Sequence, residues 1–573
     1  MPGGWLEIFS IKERVSLPVI SVAMLKNLPW IFAAIIIVCF TGFNIDIMDV
    51  DAAQYASMSR EMLQNKSYLQ LYDVGNEYLD KPPFLIWISA LSMKVLGINN
   101  FSYRLPSFLF SLLALYSTYK LSSLFYNKSV SALAALVLGC SQAFFLINHD
   151  VRTDTILMSC VIFSMWHLAA WYKQKIFYHF LLGCIGIAFG MMTKGPVALI
   201  IPLFAFGSHF ILLRDFKMLF KWQYIAGIAI ILLLLLPMCI GLYQQFDLHP
   251  EKTVNGKTGV SGLRFFFWTQ SFGRITGESN WDNNTNIFFL LQNMLWSFLP
   301  WIFLFLIALF LNIKDVISQK FRLLPGQEWI TTGGFLLTYL SLGLSKYQLP
   351  HYIFVVFPLA AIITAKFVYN IIFNKKFQKL YKTLIASHLI LCTLLWIGLI
   401  TLLFYCFHTV PLYIPISATI FFVLFVGFYI LKKRSLLILP SFCIITILAV
   451  NFYLNIAFYP SLLKYQMGNT TGRWLHENKI PVNNTFIYQY PELRSLHFYA
   501  KANILHKDSL PLIQKGDYII TAGKKLPELD SAGLNFDKLY SDNDYHISRL
   551  TLKFLNPYRR PQELSPYSII KIK

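Results

Sequence analysis

Residues 82–97 read PPFLIWISALSMKVLG. The run is apolar but falls short of the roughly 20 residues that a bilayer crossing needs. Whether it crosses sets the side of the membrane on which every later loop lies. The chain around it has 573 residues, 56% hydrophobic and only 13% charged. A soluble protein usually carries about a quarter of its residues as charges. Many further runs exceed about 18 apolar residues, so the composition reads as a polytopic membrane protein. The net charge of +21 does not point to nucleic acid, because the basic residues form no single patch. They sit in short clusters between apolar runs, as in the loops that stay in the cytoplasm.

Thirteen spans are expected, at 28–46, 104–126, 130–148, 154–172, 177–193, 195–213, 222–243, 287–311, 329–345, 350–373, 383–408, 411–431 and 435–456. With the N-terminus inside, the inner side receives Lys12, Arg14 and Lys26, then NKS, KQK, RDFKMLFK, KDVISQKFR, NKKFQKLYK and KKR. Every alternate connection is basic. If 82–97 crossed, all the later basic clusters would lie outside. The segment is therefore read as a helix along the outer interface, with Pro83 in its first turn and Lys81, before Pro82, extended. The first span has no convincing cleavage site and reads as an uncleaved anchor. All eight cysteines fall in predicted spans with no CxxC pair and read as small core residues.

Three outer regions are long: 45–103, 244–286 and 457–573. In the tail, TTGRWLHENK reads as a helix, and NTFIYQY, SLHFYA, DYIITAG and YSIIKIK read as strands. The expected fold is an all-α membrane bundle over 1–456 with outer interfacial helices and a small C-terminal α/β domain over 457–573.

Charge at the outer ends is unusual. Asp51 stands before an amphipathic stretch, 52–64, expected to lie as a helix on the membrane surface. Asp51-x-x-Gln54 has capping-box spacing, so capping and chemistry both stay open for Asp51. The short loop HDVRTD (149–154) brings Asp150, Arg152 and Asp154 to the same rim, and Asp154 can cap the next helix or serve the site. Two carboxylates on one rim suit general-base or metal-assisted chemistry. Cations gather there too: Lys81, Arg104, Lys194 in MTKGP, Lys346 and His351 in SKYQLPHY, and Arg264 and Arg274 in the 244–286 loop. Lysines at outer span ends run against the positive-inside bias. An anionic ligand at the outer surface, such as a polyprenyl phosphate, supplies a cause. No Asp or Glu sits mid-span, which argues against a proton-coupled lipid-sugar transporter or flippase. A non-catalytic envelope scaffold would not need the carboxylates. GxxxxGK[ST], GxGxxG and HExxH are absent, and the in-span His167, His209 and His388 read as structural.

The boxes DVDAAQYASMSREM, YLDKPPFLIWISALSMKVLG, FSYRLPSFL, VRTDTILMSC, MTKGPVA and SKYQLPHYIFVVFPLA follow one another in an order that resembles a known class. The chain is similar to membrane glycosyltransferases of the protein-mannosyltransferase-like class with the GT-C fold, and among them to the lipid A aminoarabinose transferases. The resemblance implies an outward-facing, periplasmic site in the bacterial inner membrane. It implies a polyprenyl-phosphate sugar donor and, as acceptor, lipid A, a glycan or a protein. It sets Asp51 and Asp154 on acidic catalytic positions and Lys81 near the donor phosphate; Lys194, Lys346, Arg274 and Arg104, cations at the same rim, are read from their position as further phosphate contacts. A single displacement would invert the anomeric carbon. Two positions depart from the class: Ala52 and Asp80 each stand where Glu is frequent. No cofactor is assigned. A divalent metal through Asp80 stays open, with His249 a poor match for its partner.

Overall fold

The structure, a computed structural model, describes residues 19–276, 278, 282–283, 285–374, 377–407, 409–431 and 437–573. Lys12, Arg14 and the KKR cluster lie outside the described residues. A helix occupies each of the thirteen expected segments, but they are not alike. Among the described residues seven helices are long and apolar enough to cross a membrane, or eight if the bent pair Lys128–Gly139 and Gln142–His149 is one span. Val197–Leu213 and Ile330–Gly343 are apolar but shorter. Asn100–Ser123 is long but carries Arg104, Lys120 and a run of hydroxyl residues, many of them buried. A helix surrounded by other helices need not be apolar all round, so hydropathy alone ranks it low.

Two helices break inside the bundle, and the breaks satisfy each other. The first bends by 54° between Gly139 and Gln142. The second stops at Ser297 and resumes at Ile302, with Pro300 between. Buried Trp301 donates its indole N–H to the Cys140 carbonyl at 2.8 Å, and the Gln142 amide donates to the Leu299 carbonyl at 3.0 Å. Irregular backbone at membrane depth persists only where protein groups take up its hydrogen bonds. Thr153–Gln174 and Phe177–Lys194 pack closely because Gly183 and Gly186 face the neighbouring helix: a Cβ on Gly183 would come within 2.8 Å of the Leu168 side chain, and one on Gly186 within 3.0 Å of the Cys160 carbonyl oxygen.

The 82–97 segment forms the helix Phe84–Leu96, beginning directly after Pro83. Asp51–Asn65 is also helical but is not a surface helix. Ten of its residues are buried, Ser57, Ser59, Arg60 and Glu61 among them. Its polar face meets protein instead of headgroups. Arg60 bonds Gln64 and Asn503, and Glu61 accepts from the Val74 and Gly75 amides at 3.0 and 2.9 Å. The latter belong to a hairpin of β1 (Tyr72–Asp73) and β2 (Asn76–Glu77); a second hairpin pairs β3 (Thr253–Val254) with β4 (Lys257–Thr258).

The tail builds one five-stranded sheet from β5 (Thr485–Tyr488), β6 (Leu505–His506), β7 (Tyr518–Ala522), β8 (Phe536–Asp544) and β9 (Ser565–Ile572), in the order β6-β5-β7-β9-β8. β6, β5 and β7 run parallel; β9 is antiparallel to β7 and β8. SLHFYA, expected as a strand, is the helix Arg494–Tyr499. In a strand Leu496 and Phe498 would share a face. In the helix they part: Leu496 enters the cluster under the sheet, and Phe498 enters the core of the bundle. The segment joins two cores, which local alternation cannot encode.

Candidate active site

Asp51 opens its helix but does not cap it; the preceding residue, Val50, holds the cap position without a side-chain hydrogen bond. Gln54, the would-be capping-box partner, donates to Asp73 Oδ2 at 2.7 Å. The Asp51 carboxylate instead takes Arg152 Nη1 at 2.6 Å and remains 36% exposed. Arg152 also holds Asp150 through Nε at 2.8 Å. Burial pushes the Asp150 carboxyl up, and Arg152 pulls it back. The same Arg152 Nη1 donates to His351 Nδ1 at 3.3 Å, which leaves the ring proton on Nε2, facing Asp154 Oδ2 at 3.6 Å.

Asp154 lies in the first turn of its helix with no capping bond. It is almost wholly enclosed and accepts from Lys194 Nζ at 2.5 Å. Lys194 ends its own helix just before Gly195, whose φ of +86° turns the chain into Pro196 and the next helix. Its ammonium stands 3.9 Å above the Tyr352 ring centroid. The Tyr352 hydroxyl accepts from Arg274 Nη1 at 2.9 Å, and the Arg274 guanidinium lies over Tyr347. One chain of contacts therefore runs Asp51–Arg152–His351–Asp154–Lys194–Tyr352–Arg274.

The Lys194 end of this chain opens on a groove that encloses about 900 Å³, part of it continuous with solvent. Its walls are mostly apolar, with Val197, Ile200, Ile201, Phe204, Leu342 and Val355 among them, and three cations line it: Lys81, Lys194 and Arg274. Lys81 makes no ion pair or hydrogen bond among the described residues; Asp80 bonds Asn255 Nδ2 at 3.1 Å instead. Burial, then the nearby Arg274 guanidinium, lowers the Lys81 pKa below its ordinary value. Arg274 Nε is buried and also without a partner. A half-buried ammonium without a counter-ion and a buried N–H without an acceptor are costly unless a ligand completes them.

The other expected contacts fall elsewhere. Arg104 is fully buried and spends its donors on backbone carbonyls: His149 through Nε at 3.0 Å, Phe43 and Ile45 through Nη1, and Asp46 through Nη2. It fastens the loop before Asp51 and does not line the groove. Lys346 is exposed and lies outside the groove lining; only its backbone is engaged there, donating to the Arg274 carbonyl at 3.2 Å. No three His, Cys, Asp or Glu side chains gather in metal-binding geometry among the described residues, and Asp80 and His249 do not approach one. The residues present do not fit a divalent metal at Asp80. Arg152 and His351 sit inside the quoted boxes, but their partners lie 101 and 199 positions apart in sequence, where spacing carries no signal.

A second layer holds Asp51 from the far end of the chain. Gln466 brackets the loop before it, accepting from the Asp49 amide and donating to the Ile47 carbonyl, both at 2.9 Å. Ser495 gives its amide and hydroxyl to the Asp49 carboxylate at 2.9 and 2.6 Å. Tyr499 accepts from the Ile47 amide at 2.9 Å, and Arg473 pairs with Asp46.

Residues 80–240 match the family described as dolichyl-phosphate-mannose-protein mannosyltransferase. The backbone superposes on the crystal structure of ArnT from Cupriavidus metallidurans bound to undecaprenyl phosphate with a TM-score of 0.70 at 14% identity, covering 94% of this chain and 97% of that one. The chain shares the fold of ArnT and is similar, over part of its length, to the protein-mannosyltransferase-like and aminoarabinose transferase families. The apo state of the same ArnT gives 0.69 at 13% identity, over 95% of this chain and 98% of that one. An uncharacterised protein of Aquifex aeolicus is 26% identical over 91% of this chain and 97% of its own length. The undecaprenyl phosphate-alpha-4-amino-4-deoxy-L-arabinose arabinosyl transferase of Wigglesworthia glossinidia brevipalpis is 33% identical over 27% of this chain and 29% of its own. That of Edwardsiella ictaluri is 27% identical over 56% of this chain and 55% of its own. The chain thus spans about half or less of the length of these arabinosyl transferases.

Proposed function

We propose that this chain transfers a sugar from a polyprenyl-phosphate donor to an acceptor at the outer, periplasmic face of the bacterial inner membrane. The observation that carries the reading is the groove: apolar walls for a prenyl tail, and at its polar end Lys81 without a counter-ion among the described residues and Arg274 Nε without an acceptor, beside Lys194. The solved relative that shares this fold is described as bound to undecaprenyl phosphate, and that supports the same class of lipid here. In this scheme thirteen helices cross the membrane, residues 45–103 and 244–286 form the outer loops, and 457–573 is a periplasmic domain.

The reaction is one displacement. The acceptor oxygen attacks the anomeric carbon while the bond from that carbon to the phosphate oxygen breaks, and its electron pair leaves with the lipid phosphate. Inversion follows. Asp51, the accessible carboxylate, takes the acceptor proton, and Arg152 fixes its orientation. Lys81, Arg274 and Lys194 meet the charge that grows on the leaving phosphate. Asp154 is too enclosed to touch an acceptor and holds Lys194 and His351 in place. The acceptor is lipid A, a glycan or a protein hydroxyl or phosphate.

The test gives purified chain in nanodiscs a panel of polyprenyl-phosphate sugars with lipid A, glycan and peptide acceptors, and reads products by mass spectrometry. Glycosylated acceptor with stoichiometric polyprenyl phosphate is expected. Tight lipid binding with no sugar transfer to any acceptor would leave a lipid-carrier scaffold as the better account.

A further inference from the structure

Residues 549–560, RLTLKFLNPYRR, form a strip of the C-terminal sheet unit that no part of the proposed reaction uses. Its inner side is fixed to the outer ends of membrane helices. Phe554 is fully buried in one cluster with Cys406, Phe407, Val410 and Ile414. Arg560 donates to the Cys406 carbonyl and to the Tyr465 hydroxyl. Its outer side is apolar and bare: Leu552 is 86% and Tyr558 80% exposed, with Leu550 beside them. The helix that begins in the same cluster starts at Tyr413, and Leu412 and Tyr413 are exposed as well. Between the apolar side chains stand Arg549, Lys553 and Arg559, all exposed, and none of the three makes an ion pair among the described residues. There is no acidic residue from 549 to 560.

Large apolar side chains and tyrosine interleaved with unpaired cations, at the level where helices leave the bilayer, are the composition of an interfacial anchor. We infer that this strip dips into the outer leaflet beside the chain's own spans, with Leu550, Leu552 and Tyr558 among the acyl-chain ends and Arg549, Lys553 and Arg559 on anionic phospholipid headgroups. The occupant is the membrane because the strip continues an apolar contact with the helix ends and carries only positive charge. The inference does not depend on which sugar or acceptor the chain uses.

The test uses the full-length chain in a Cys239→Ser background, since the other cysteines are buried. Tyr558→Cys carries an environment-sensitive probe. Lys515→Cys carries the control probe, being exposed at the end of β7 and β9 remote from Tyr545. Nanodiscs contain phosphatidylcholine with or without phosphatidylglycerol. A headgroup-nitroxide lipid should quench the probe at 558 several-fold more than at 515, and iodide several-fold less. The lipid quenching should rise with phosphatidylglycerol, and Arg549→Gln/Lys553→Gln/Arg559→Gln should abolish that rise. Equal iodide quenching at the two positions overturns the inference. So does protection from both quenchers, as a covering protein would give, or lipid quenching that ignores phosphatidylglycerol.

Discussion

Replacing Lys81 by alanine removes an ammonium that no other described residue engages. Lys194 is already offset by Asp154 at 2.5 Å, and Arg274 has one N–H committed to Tyr352. Lys81 is therefore the most available cation for an incoming phosphate. Two unit charges about 4 Å apart attract by about 4 kcal/mol at the effective dielectric near a protein surface. Desolvation takes back part, leaving roughly 2–4 kcal/mol, in the range of donors aimed at transition-state charge. At 1.36 kcal/mol per decade, Lys81→Ala should cut kcat/KM for the lipid-linked donor by roughly 30- to 1,000-fold. Lys81→Arg should restore only part, a planar fork replacing a compact charge. The lowered Lys81 pKa sets a further sign. Donor capture should fall as pH rises through it, and Lys81→Arg should push that alkaline limb upward because the guanidinium stays charged. The assay is single-substrate kinetics across pH on purified variants with matched thermal stability. A Lys81→Ala enzyme within about twofold of wild type, or an alkaline limb unmoved in Lys81→Arg, would refute the phosphate assignment.

Asp51→Asn should leave folding intact, because Asp51 caps nothing, and lower turnover by about 10²–10⁴-fold if it is the base; normal turnover with the same donor KM excludes that role. Asp154→Asn strips the partner from enclosed Lys194 and should destabilise by roughly 3–5 kcal/mol, read as a fall in Tm in detergent that Asp154→Asn/Lys194→Met partly reverses. Asp49 has its pKa raised to about 6, first by burial and then by Asp544, against the Ser495 bonds. Its folded pKa lies above the unfolded value of 3.8, so the contribution it makes is full below about pH 4 and lost as pH rises through about 6. The C-terminal unit should accordingly resist proteolysis better at pH 5 than at pH 8, and Asp49→Asn should flatten the difference.

What the sequence made legible follows the range of each interaction. Span positions are written in local apolar runs, and Phe84–Leu96 follows from its length and its two prolines. Lys81, Lys194 and Arg274, which line one groove, stand out in the sequence because charge beside an apolar run is a local anomaly. Arg104 met the same criterion and serves the backbone instead, since nothing local distinguishes a cation facing a ligand from one facing four carbonyls. Asp51 invited a capping reading because its spacing from Gln54 is right; Asp73 and Arg152, distant in sequence, took both side chains. The buried helix Asp51–Asn65 and the helical SLHFYA both lie between the bundle and the sheet unit, where contacts distant in sequence decide which faces are buried: the first hides polar residues against protein, and the second sends Leu496 and Phe498 into different cores.

The loop that presents Asp51 is tied by Gln466, Ser495 and Tyr499, residues more than 400 positions later in the chain. On a ribosome feeding a membrane, the donor groove can be assembled well before these partners exist. The loop before the carboxylate that would take the acceptor proton stays untied until the final segment has been made and folded back onto it. Nascent and truncated chains should therefore hold lipid without spending it. Whatever clips the tail would switch off transfer while leaving the carrier bound.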